Sequence, residues 1–310
     1  MITVAKDGTG DFSAVSDALN AAESHETIFI KKGVYRERAE VTRPFITIIG
    51  ENSEETIIEY GLYADMRLEN GERLGTFRSY TMLVNTDNFT CKNITVANTA
   101  GFGKDVGQAV AVYAEGDGIL FEDCRILGHQ DTLFTGPLPY KEIEAGGFRG
   151  PTEYAERRFV KQMYRRCYIE GEVDFIFGSA AAFFDECELY SLDRGETVNG
   201  YVCAPSTYMG QKYGYVFNGC CFTGNCPPES VYLARPWRNY AKAVFINCEY
   251  GAHIRGEGFH DWNKSEARET VLFAEYGCKG NGTDRRAEFS RLLTSEEAEE
   301  YSEARFSESR

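Results

Sequence analysis

Five cysteines of this chain recur in one local pattern, which limits the possible fold more than any other feature. The pattern is aromatic, two residues, Cys, one residue, large apolar. It occurs at Phe121, Cys124 and Ile126, at Tyr164, Cys167 and Ile169, at Phe184, Cys187 and Leu189, at Phe217, Cys220 and Phe222, and at Phe245, Cys248 and Tyr250. The cysteines lie 43, 20, 33 and 28 residues apart. The first interval holds a Gly- and Pro-rich stretch from Pro137 to about Arg158, and without those 22 residues it falls to 21. Recurrence every twenty or so residues with short alternating segments is the signature of a solenoid, whose units bury their apolar faces against one another.

Each Cys and the apolar residue two positions on share one face of a strand. Helical repeats would need apolar stripes of about 10–15 residues, and few occur. The pattern therefore predicts an all-β chain, a parallel β-helix, with each Cys above its equivalent in the next coil. Cys packs there as a small hydrophobe. Disulfides or a metal cage are the competing uses of ten cysteines. Adjacent Cys220 and Cys221 would face opposite ways, which disfavours a compact cage. Cys91, Cys203, Cys221, Cys226 and Cys278 fall outside the pattern.

Both ends read as caps for the open core. Asp11 precedes Phe12, Val15, Leu19 and Ala22, a helical spacing with an N-cap. From about Thr294 the tail is charged and rich in helix formers. Residues 1–310 thus read as a single domain, with an inserted loop at about 137–158. The formal net charge of −15 argues against gripping a phosphate backbone, so no nucleic-acid partner is expected. No apolar run nears the roughly 20 residues that cross a bilayer. The N-terminus shows no basic and apolar export signal, so the chain as it stands reads as cytoplasmic, or as secreted or periplasmic if a leader has been removed.

Several chemistries lack their signatures. His25, His129, His253 and His260 form no metal pair at helical spacing, and there is no serine nucleophile elbow, phosphate loop or dinucleotide fingerprint. Four segments stand out instead: Gly107-Gln108-Ala109-Val110-Ala111-Val112, Gly128-His129-Gln130-Asp131-Thr132-Leu133, Gly171-Glu172-Val173-Asp174-Phe175-Ile176-Phe177-Gly178 and Tyr232-Leu233-Ala234-Arg235-Pro236-Trp237. Asp174 sits in an apolar, strand-like run, where a carboxylate needs either hydrogen-bonded partners in a turn or a chemical task.

In sequence order these segments resemble the active-site segments of the pectin methylesterase (pectinesterase) family. The resemblance begins at Val4-Ala-Lys-Asp-Gly-Thr-Gly-Asp-Phe12, continues through Gly33-Val-Tyr35-Arg-Glu37, and runs somewhat past Trp237. It implies a right-handed parallel β-helix, in agreement with the cysteine pattern, and hydrolysis of galacturonate methyl esters in pectin or its oligosaccharides. By resemblance Asp174 is the nucleophile and Asp131 the general acid/base. Arg235 orients Asp174, and Gln108 and Gln130 serve the oxyanion. One carboxyl must attack while the other holds a proton for the departing methoxide, and burial with mutual repulsion can set two acids apart in this way. Trp237 matches an aromatic that contacts the sugar chain, although it can equally serve as a packing anchor, and Phe175 is a further candidate to line the cleft. No metal or organic cofactor is implied, and the expected state is a monomer whose partner is methylated galacturonan or oligogalacturonide.

Two departures from the family pattern matter. Ala234 replaces the usual Gly before Arg-Pro-Trp, which is tolerable unless the backbone there needs positive φ. The 137–158 loop leaves the chain just after the Asp131 segment, so it is expected to border the cleft and to favour short oligosaccharides; surface elaboration is the alternative. Other readings are a related carbohydrate acyl esterase and a noncatalytic pectin-binding β-helix. The acidic surface further predicts a preference for highly methylated substrate, because free galacturonate is an anion.

Overall fold

Three parallel sheets of 11, 9 and 7 strands carry the chain through successive coils in the computed structural model, which describes residues 1–308. The long sheet holds the aromatic-bearing strands, such as Ile119–Glu122, Lys161–Arg165 and Ala181–Asp185. The nine-stranded sheet takes the strands that follow each Cys, such as Arg125–Leu127 and Tyr168–Gly171. The seven-stranded sheet includes Val112–Ala114, Leu133–Thr135, Val173–Gly178, Gly200–Pro205 and Val231–Ala234. The architecture is the parallel β-helix that the cysteine pattern predicts.

The three-residue spacing inside the pattern marks a corner. The residue before each Cys adopts a left-handed backbone, with φ of 55° at Asp123, 48° at Arg166, 51° at Glu186, 61° at Gly219 and 51° at Asn247. That single turn passes the chain from the long sheet to the nine-stranded one while both aromatic and Cys point inward. In the register of the long sheet, Phe121, Tyr164, Phe184, Phe217 and Phe245 share one row. Their rings stack at centroid distances of 5.6, 4.9, 4.7 and 4.8 Å. Each thiol also donates to the previous coil: Cys187 to the Tyr164 carbonyl at 3.3 Å and Cys248 to that of Phe217 at 3.4 Å. All ten thiols are free.

Two further cysteines join this interior. Cys278 continues the row, donating to the Phe245 carbonyl at 3.4 Å. Its pattern is hidden in the sequence because Glu275 stands where the aromatic would be. That buried carboxylate is satisfied by the Tyr250 hydroxyl at 2.7 Å and by two Arg286 donors at 2.7 and 3.1 Å. Cys91 pairs in register with Phe121 and so fills the aromatic row, one coil earlier.

The ends differ in part from the expectation. Helix Val15–Ala21 does cap the first coil, burying Val15, Ala18 and Leu19 in the core. Its cap is not Asp11, which instead accepts from the Thr3 N–H at 2.8 Å. Glu37 reaches over from the next coil and accepts from the Val15 and Ser16 N–H groups at 2.9 and 2.8 Å. At the other end Thr294 and Glu297 form a capping box for helix Ser295–Glu299. The tail does not plug the last coil, however. It straps the outer face of the long sheet, with Ala298 beside Val244 and Ala274, and Phe306 against Phe183 and Tyr213. Val271, Ala287 and Phe289 cover the last coil instead. No helix among the described residues is long and apolar enough to cross a membrane.

Candidate active site

The seven-stranded sheet gathers the four segments. Gln108 leads toward Val112–Ala114, Gln130 and Asp131 lead into Leu133–Thr135, and Asp174 lies within Val173–Gly178. These strands are consecutive rungs, so residues far apart in sequence stand only about 4.8 Å apart along the stack. Main-chain bonds fix the steps: the Ala109 N–H donates to the Gln130 carbonyl at 3.0 Å, and the Asp131 N–H to that of Val173 at 3.1 Å.

Both aspartates occupy left-handed backbone, with φ of 63° at Asp131 and 51° at Asp174. Such a conformation costs a non-Gly residue roughly 1–2 kcal/mol and persists where the surroundings impose it, commonly at functional sites. At Asp174 the cause is a β-bulge: Val173 pairs with Tyr201 and Ile176 with Cys203, so two residues face one. The bulge leaves Asp174 at the cleft while turning Phe175 and Ile176 into the core.

Arg235 follows Val231–Ala234, two rungs from Asp174, and its side chain spans the gap. Nε donates to Asp174 Oδ1 at 2.8 Å and Nη2 to Oδ2 at 2.6 Å, a bidentate pair. The guanidinium lies between two rings, 3.8 Å from Tyr201 and 3.7 Å from Trp262. Burial works against its charge, and the Asp174 carboxylate more than offsets this, holding the guanidinium above its ordinary range. Asp131 has no such partner among the described residues. Burial, reinforced by the Asp174 charge, pushes its carboxyl well above the carboxylate range, with Arg235 opposing. The two acids thus stand in unlike surroundings: Asp174 meets the Arg235 fork, and Asp131 meets burial and its neighbour's charge.

Gln108 and Gln130 line the same cleft of about 390 Å³, and neither side-chain amide has a hydrogen-bond partner among the described residues. Gln130 packs against Gly103, where a Cβ would come within 2.5 Å of its amide oxygen. Beneath this contact Glu172 is buried, and its Oε2 accepts from the Gly103 N–H at 3.0 Å and meets His129 Nδ1 at 3.0 Å. This clamp joins the residue before Gln130, the residue two before Asp174 and the start of the short helix Gly103–Val106 that packs on Gln130. Glu172 and His129 stood in the quoted segments without an assigned task, and only the fold shows that they meet.

The cleft walls are aromatic. Trp237 lines the cleft and also packs on Phe177 at 5.7 Å and Phe148 at 6.3 Å, so it is both cleft residue and anchor. Phe175 does not line the cleft: it is fully buried in the coil interior, and Phe177 is the ring that faces out. Trp262, Tyr201 and Phe77 were missed, because no motif or periodicity marks them. Ala234 is accommodated without positive φ. No strand occurs between Thr135 and Lys161, and Ile143, Glu144, Gly147 and Phe148 of this loop border the cleft as expected.

A parallel β-helix with a buried aspartate pair, an arginine clamp and an open aromatic cleft defines a class of carbohydrate-active enzyme, and comparison with known proteins agrees. The Pectinesterase family model matches residues 1–138 and 150–310. Pectinesterase 31 of Arabidopsis thaliana is 33% identical over 96% of this chain and 89% of its own length. The structure of a pectin methylesterase in complex with a hexasaccharide superposes with a TM-score of 0.82 at 27% identity, covering 100% of this chain and 97% of that one. Pectin methylesterase PemA from Erwinia chrysanthemi gives a TM-score of 0.81 at 26% identity, with 100% and 97% covered. The chain belongs to the pectinesterase family and is a carboxylic ester hydrolase.

Proposed function

We propose that this protein hydrolyses the C6 methyl esters of galacturonate units in pectin or its oligosaccharides, giving methanol and a free carboxylate. The observation that carries the reading is the asymmetry of the aspartate pair: Asp174 is clamped by both Arg235 donors, whereas Asp131 is buried without an arginine fork and its carboxyl is pushed up by burial and the Asp174 charge. An Asp174 oxygen attacks the ester carbonyl. The oxyanion that forms takes hydrogen bonds from the Gln108 and Gln130 amides, whose donors meet no acceptor among the described residues. Asp131 passes its proton to the methoxide, which leaves as methanol, and an acyl anhydride on Asp174 remains. Asp131, now a base, takes a proton from water, whose oxygen attacks the anhydride and frees both carboxyls.

All these side chains come from one chain, which supports a monomer as the working unit. A polymer substrate too large to enter a cell favours secretion over the cytoplasmic placement. The test is methanol release from a fully methylated oligogalacturonide. Wild type should turn it over, and Asp174→Asn should retain less than about a thousandth of the rate while folding normally. Equal rates for the two proteins would overturn the assignment, and acetate release from acetylated pectin in place of methanol would point to a related acyl esterase.

A further inference from the structure

Trp262 stands on strained backbone beside the cleft. Its φ is 56°, and that of Asn263, the next residue, is 55°. A bulky side chain seldom adopts this left-handed conformation, and two such residues in a row persist only where partners hold them. The partners are the side chains two positions earlier. His260 Nδ1 accepts from the Trp262 N–H at 3.1 Å, and Asp261 Oδ1 accepts from the Asn263 N–H at 2.9 Å. The turn so made presents the indole to the cleft, its ring 3.7 Å from the Arg235 guanidinium.

The two holders differ in chemistry. The Asp261 carboxylate is fixed in turn by Arg268, whose Nε and Nη2 each lie 2.7 Å from Oδ2. An imidazole accepts only while one ring nitrogen is bare, because both nitrogens of the cation are donors. The Trp262 N–H supplies the proton of its bond, so Nδ1 is the bare nitrogen and Nε2 carries the hydrogen. The ring is seated against Tyr201 at 5.8 Å and Tyr232 at 5.1 Å, and the His260 N–H donates to the Ala234 carbonyl at 3.0 Å. The charges facing it are those of Asp261, Arg235, Arg255 and Arg268, and Arg255 is itself paired with Glu257 at 3.5 Å. Burial holds the imidazole below its ordinary value of 6.5, with Asp261 opposing and the three arginines adding to burial.

We propose that His260 is a positioning residue for the reaction and an acid-released catch: its bare Nδ1 holds Trp262 against Arg235, and a second proton on the ring frees the turn and slackens the grip of Arg235 on Asp174. This deepens the esterase reading above and rests on it. The contacts run without a break, from His260 to the Trp262 N–H, from the indole to the guanidinium, and from the guanidinium to both Asp174 oxygens at 2.8 and 2.6 Å. Once protonated, His260 loses its hold on Trp262 and also adds a like charge facing Arg235. Tyr201 still covers the other side of the guanidinium at 3.8 Å, so the clamp loosens and is not lost.

The test exploits the chain's two tryptophans, Trp237 and Trp262. In a Trp237→Phe chain all indole emission comes from Trp262. Titrated from about pH 8 to about pH 4, that emission should change in one reversible step with its midpoint below the ordinary histidine value. The same chain carrying His260→Asn should show no such step, because an Asn oxygen accepts from an N–H two residues on and does not titrate there. Activity is followed as kcat and KM for methanol release from a fully methylated hexamer. At about pH 7.5 His260→Ala should lose about tenfold in kcat with KM within about twofold, and His260→Asn should recover most of that loss. On acidification the kcat of wild type should fall earlier than that of His260→Asn. An unchanged fluorescence step in the His260→Asn chain, or the same acid limb in both proteins, would overturn the catch. Wild type that releases no methanol at any pH would instead overturn the esterase reading, with the fluorescence step still deciding whether His260 holds Trp262.

Discussion

At the residue scale, chemistry and stability pull against each other. Burial and the Asp174 charge raise the Asp131 carboxyl, so the folded protein holds a proton that the unfolded chain releases above its ordinary value of 3.8. The folded state therefore binds more protons than the unfolded one in that window. The contribution of Asp131 to stability is full below about pH 3.8 and is lost as pH rises toward the raised value. Asp131→Asn removes this dependence, so its thermal stability relative to wild type should grow between about pH 4 and about pH 8, in denaturation scans at both. A difference independent of pH would contradict the buried, protonated Asp131. Arg235→Lys keeps the charge but loses the fork that grips both Asp174 oxygens and the flat face between Tyr201 and Trp262. Its kcat should fall about 10²-fold with little change in KM, since misplacing the proposed attacking carboxylate by an ångström costs about that much. The Glu172 clamp orders the same residues from below. Glu172→Ala should lower kcat more than it raises KM, whereas Glu172→Gln, which can still accept from Gly103, should recover part of the loss.

At the element scale, the corner decides how the repeat is built. Glu186 is left-handed, at φ 51°, and no ion pair holds it among the described residues. Glu186→Val should destabilise by about 1–2 kcal/mol, because a β-branched side chain crowds the backbone there, and Glu186→Gly should not. Chemical denaturation of the two variants measures the difference. The corner also explains the limits of the sequence reading. Aromatic, Cys and apolar residue were visible as a pattern, yet in a straight strand positions i and i+3 face opposite ways. Only the left-handed residue between them brings both inside. The bulge at Asp174 had the same effect: the segment was recognisable, but alternation broke at one residue, and Phe177 took the place expected of Phe175. The Asp11 cap failed for a further reason, since Glu37 comes from the next coil and no local signal announces it.

At the scale of the whole molecule, the tail strap crosses the long sheet away from the cleft. Phe306, 2% exposed against Phe183 and Tyr213, fastens it. Phe306→Ala should cost about 3 kcal/mol of stability, read by thermal unfolding, while KM for a methylated oligogalacturonide stays unchanged. The sequence by itself determined the solenoid, because a row of stacked side chains must recur once per coil and so leaves a written period. It also singled out Asp131, Asp174, Arg235, Gln108 and Gln130 as the proposed site residues, since their segments keep the order of the family they resemble. The tertiary structure alone decided which of them meet. Arg235 reaches Asp174 across an intervening coil, Trp262 closes over the guanidinium, and residues 139–149 turn back onto Trp237 and Arg238 to complete the cleft. Such contacts depend on stacking distance and backbone twist between coils, and neither is written in any local run of residues.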